Sequence, residues 1–152
     1  MGYSTGEANI LTRLRAMGDW DVNNSVREDW QILNTGSSAK YAILRQGEHG
    51  NNADLSSIGG ITKFHNWQTV IEVWQKYDTP GTDPTALESL ADSIIDELWK
   101  YPYLGGGQSS GHYINDIGGS EMQERWLSDG AKFAVLEVTI EWQEEKTITP
   151  AE

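Results

Sequence analysis

The chain has 152 residues, 38% hydrophobic and 22% charged, the length and composition of one globular domain able to bury roughly 68–70% of its unfolded surface. It holds no cysteine, which excludes a disulfide framework and any thiolate-held zinc or iron–sulfur centre, and no run of about 18 apolar residues that could span a bilayer, nor does it open on the basic-then-apolar pattern of a signal peptide. Eleven Lys and Arg against 23 Asp and Glu give a net charge of -12, which opposes tight binding to nucleic-acid phosphates. The imbalance is concentrated late: residues 1–76 carry 7 bases and 8 acids, residues 77–152 carry 4 and 15.

In chain order, Ser4 and Glu7 have the spacing of a capping box, and Ile10, Leu11, Leu14 and Met17 fall on one helical face, which predicts a helix from Thr5 to Met17 stopped by Gly18. The polar, turn-rich stretch Asp19 to Ser38 is expected to be irregular, with Trp20 and Trp30 pinned into a groove. Tyr41 to Gln46 is short, apolar and aromatic, a strand pattern. Gly47 to Gly60 is a run of turn formers, expected to be a flexible loop. Phe64 to Tyr77 is rich in β-branched and aromatic residues without Pro or Gly, and its two faces are both apolar (Ile71 and Val73 on one, Val70 and Trp74 on the other), so it is expected to be a central strand covered twice.

Asp83 as N-cap and Pro84 at the first helical position predict a helix to Tyr101. Its stripe is Leu87, Leu90, Ala91, Ile94, Ile95, Leu98 and Trp99, with Glu88, Asp92, Asp96 and Glu97 opposite. A glycine-rich connection leads into His112 to Ile117, a short strand, and Gly118 and Gly119 begin another break. Ala131 to Gln143 then alternates, with Ala134, Leu136, Val138, Ile140 and Trp142 on one face and Glu137, Thr139 and Glu141 on a wet one. The polar end EEKTITPAE is a tail, frayed over 147–152. These elements describe a single α+β domain over residues 1–152: a small, mostly antiparallel β-sheet with about two α-helices packed on it.

Patterns that could carry chemistry fail on context. Gly107, Ser109 and Gly111 match the nucleophile elbow G-x-S-x-G, but a helix precedes them where a strand is required, and His112 stands before Asp116 and too close to the serine. Gly106 and Gly111 have the spacing of a phosphate-binding loop, yet His112 and Tyr113 replace its Lys and its Ser or Thr. Asp19, Asp21 and Asn23 resemble the start of a calcium loop that lacks its glycine at Asn24 and its bidentate glutamate at Trp30, which leaves a weak cation site or a capped polar turn. His49, His65 and His112 lie far apart in sequence and are expected on the surface or in loops, and Glu144 and Glu145 are adjacent, diverge on a strand and are expected to be solvated. No enzyme, cofactor or metal site is expected.

Aromatic residues are the remaining signal. Trp74, Trp99 and Trp142 occupy apolar-face positions and are expected in the core, whereas Trp20, Trp30, Trp67 and Trp126 lie in or beside loops, where interface anchoring and plain packing both stand open.

An N-terminal helix, the strand YAILRQG running into a long glycine-rich loop, the strand WQTVIEVWQKY, the helix LESLADSIIDELWKYP and the closing strand FAVLEVTIEWQEE together resemble the tail terminator (tail completion) proteins of long-tailed bacteriophages and related neck proteins, over most of the chain. The resemblance implies a structural virion protein, made in the host cytoplasm, that forms a hexameric ring with itself. Such a ring caps the tail-tube protein, ends its polymerisation and docks the head-completion or connector protein, with DNA passing through the lumen unread and no membrane involved. The candidate interface residues are then Trp20, Trp30, Trp67 and Trp126, with His49, Asn51, Asn52 and Asp54 of the long loop. A negative lumen keeps a sliding duplex from sticking, and Glu137, Glu141, Glu144 and Glu145 are candidates to line it, the other reading of these charges being solubility. A head-completion or connector protein and a small cytoplasmic ligand-binding domain are the alternatives.

Overall fold

A computed structural model describes residues 3–17, 26–28, 40–47, 50–51, 62–76, 85–105, 111–120, 123–126 and 132–147. Its elements are α1 (Tyr3–Arg15), β1 (Val26–Glu28), β2 (Lys40–Gln46), β3 (Gly50–Asn51), β4 (Thr62–Lys76), α2 (Thr85–Trp99), β5 (His112–Gly119), β6 (Gln123–Trp126) and β7 (Lys132–Thr147). They form the small α+β fold expected from the sequence, a mostly antiparallel sheet carrying two helices.

The sheet is built around β4 and β7, which pair antiparallel over their whole length from Thr62↔Thr147 to Lys76↔Phe133. At 15 and 16 residues these strands are roughly 50 Å long. Each has a broken strand on its outer side. Along β4 run β2, from Lys40↔Gln75 to Gln46↔Thr69, and then β3, with the Gly47 N–H donating to the Gln68 carbonyl at 2.8 Å between them. Along β7 run β5 and β6, and Ser120 bridges their gap: its N–H donates to the Glu137 carbonyl at 2.8 Å and its Oγ accepts from the Glu137 N–H at 3.0 Å. β1 pairs parallel with β2, the one parallel neighbour in the path β1-β2-β4-β7-β5.

Strand alternation sends two sets of side chains to two faces. Ala42, Leu44, Ile71, Val73, Leu136, Val138, Ile140 and Trp142 form one core with Ile10, Leu11 and Leu14 of α1 and Leu87, Leu90, Ala91, Ile94 and Leu98 of α2. The other face carries a smaller buried cluster of Ile43, Trp74, Phe133 and Val135, with Trp74 set edge-on to Phe133. β4 is thus central, and its stretch with two apolar faces is covered on both, with Ile71 and Val73 buried on one side and Val70 and Trp74 on the other.

The first helix approaches the sheet through Gly6: a Cβ built there collides with the indole ring of Trp142, so only glycine lets the backbone come this close. Trp142 is fully buried and its Nε1 donates to Thr69 Oγ1 at 3.1 Å, which satisfies both polar atoms inside the core. Beyond α2, Leu104 takes φ 53°, an uncommon value for a residue with a side chain, and is buried in the core. The Arg13 guanidinium lies 4.3 Å from the centre of the Tyr101 ring and ties the end of α1 to the end of α2.

Several expectations need correction. Val26–Glu28 is a strand inside a stretch expected to be irregular, and Gly50–Asn51 is a short strand inside the long loop. β5 runs on through Gly118 and Gly119, where a break was expected, and β6 has no counterpart in the sequence reading. The polar tail is structured as far as Thr147 because β7 continues opposite the start of β4. Trp99, expected in the core, is 44% exposed at the last residue of α2. The helix caps at Asp83 and Pro84, and the rest of the loop and tail, lie outside the described residues.

Candidate functional site

The face of the sheet opposite α1 and α2 divides into two parts. Toward Lys132 it is the buried Trp74 and Phe133 cluster, and toward Thr147 it is polar, with Glu141 and Glu145 exposed and Glu137 and Thr139 half-buried. The boundary is held by an ion triad. Glu72 and Glu137 stand directly opposite each other on β4 and β7, an arrangement that is repulsive by itself. Arg45 of β2 spans both, with Nε donating to Glu72 Oε2 at 3.3 Å and Nη2 donating to Glu137 Oε1 at 3.1 Å. Partial burial disfavours the Arg45 charge, but the hydrogen bonds and attraction from Glu137 and Glu72 outweigh it and hold the guanidinium above its usual range. The Trp74 indole N–H also donates to Glu72 Oε1, at 3.4 Å.

Farther along the same face, Asp116 and Glu141 again stand in register, on β5 and β7, just past a bulge between Ile114 and Asp116. Asp116 accepts the Ile117 N–H at 2.9 Å, and Asn115 Nδ2 donates to Gln143 Oε1 at 3.3 Å. The exposed rim therefore offers acceptors and negative charge, the chemistry of a surface that repels phosphate and attracts cationic groups.

On the helix face, alternation carries Glu144 to the same side as Trp142, and it is buried with only 3% of its side chain exposed. His112 opens β5 opposite it, 1% exposed, with Nε2 in a hydrogen bond with Glu144 Oε2 at 3.1 Å and its ring edge-on to Trp142 at 5.4 Å. His65 on β4 is in register with Glu144 from the other side, and its ring packs on Trp67 at 4.2 Å. Among the described residues no group of three His, Asp or Glu side chains is placed to hold a metal ion. The His112 and Glu144 pair is closed to solvent and ties β5 to β7.

Of the candidate interface residues, Trp67 lies in the middle of β4 and not in a loop, half-buried and stacked on Trp142 with centroids 6.1 Å apart. Trp126 belongs to β6 and Asn51 to β3. Trp20, Trp30, His49, Asn52 and Asp54 lie outside the described residues, as does the partial calcium-loop pattern that begins at Asp19. Of the four candidate lumen carboxylates, Glu141 and Glu145 are exposed and Glu137 is engaged with Arg45. Glu144 is corrected to a core position, and His112 is corrected from a surface residue to its buried partner. No family model matches the chain, and no curated protein matches it. No helix among the described residues is long and apolar enough to cross a membrane.

Proposed function

We propose that this chain is a structural subunit of the neck of a long-tailed bacteriophage, a tail terminator whose hexameric ring caps the tail tube, stops its growth and receives the head-completion protein. The observation that carries the reading is the order of its elements. A leading helix, a strand entering a glycine-rich loop, a long central strand, an amphipathic helix and a long closing strand are the parts that resemble that family, and α1, β2, β4, α2 and β7 fold together as one sheet with both helices on one face.

The distribution of charge supports the same role. Glu141 and Glu145 are exposed on this face, with Glu145 accepting from the Tyr113 hydroxyl at 3.5 Å, while Glu137 is shared with Arg45, so a ring that turned this face inward would present carboxylates to passing DNA. The test is tube growth in vitro. Tail-tube protein polymerised with this chain should give tubes of limited length with a cap at one end, and unbounded tubes at every ratio of the two proteins would refute the reading.

A further inference from the structure

We draw no further inference here: the strongest candidate, the carboxylate pair Asp116 and Glu141 on the open face of the sheet, which repeats the Glu72 and Glu137 arrangement without a bridging arginine among the described residues, is an acidic cluster for which nothing in the structure shows a bound cation or a covering partner.

Discussion

Gly6 of α1 lies directly against the six-membered ring of Trp142 on β7, so close that a Cβ on Gly6 overlaps the ring. This contact sets how near the first helix sits to the sheet. It also reverses the usual rule for a glycine inside a helix, where alanine is the better helix former by about 1 kcal/mol. Gly6→Ala should instead destabilise the protein by about 1–3 kcal/mol in urea unfolding, because the buried indole has no room to give. In a Trp142→Phe background, with a smaller ring, the same change should cost less; equal costs in both backgrounds would show that the two residues are not in contact.

The second core helix has an equally direct check. Leu90 and Ile94 are both buried under α2, so Leu90→Ala and Ile94→Ala should each cost about 2–5 kcal/mol. Losses below about 0.5 kcal/mol at both positions would mean that the stripe faces water.

How far the sequence goes is clearest in these same elements. α2 and β7 were legible because their apolar residues recur at the helical or strand period over about a dozen residues, and β4 because β-branched and aromatic residues crowd a run without Pro or Gly. β1 and β6 were not, since VRE and QERW have no period of their own and become strands by pairing with β2 and β7. Glu144 was misjudged by its charge, although its position two residues beyond Trp142 puts it on the buried face by parity alone. Trp99 failed for the opposite reason: its angular position fits the stripe, but period does not say where the covering surface stops.

The buried pair yields a sharper test. A hydrogen bond buried as deeply as that between His112 and Glu144 is costly to break, so His112→Leu or Glu144→Leu alone should each cost about 1–3 kcal/mol. The double substitution should cost less than the sum. By contrast, Glu141→Lys and Glu145→Lys, at exposed positions, should change stability by no more than about 0.5 kcal/mol. Additive losses at His112 and Glu144 would remove the tie between β5 and β7.

Arg45→Gln should destabilise by about 1 kcal/mol, since it leaves Glu72 and Glu137 facing each other across the strands, and Glu137→Gln should recover most of that loss. Because the folded state raises the affinity of Arg45 for its proton, this contribution is complete at neutral pH and fades only as strongly alkaline pH strips the guanidinium. A fall in the Arg45→Gln effect on going from neutral to mildly alkaline buffer would contradict the ion triad.

The most direct measurement of the proposed role is negative-stain microscopy of the purified 17.0 kDa chain alone and mixed with tail tubes. A terminator predicts six-fold rings of about six copies seated on one end of each tube, with Glu141 and Glu145 turned toward the lumen. Bare tube ends and a chain that stays monomeric in both samples would contradict it.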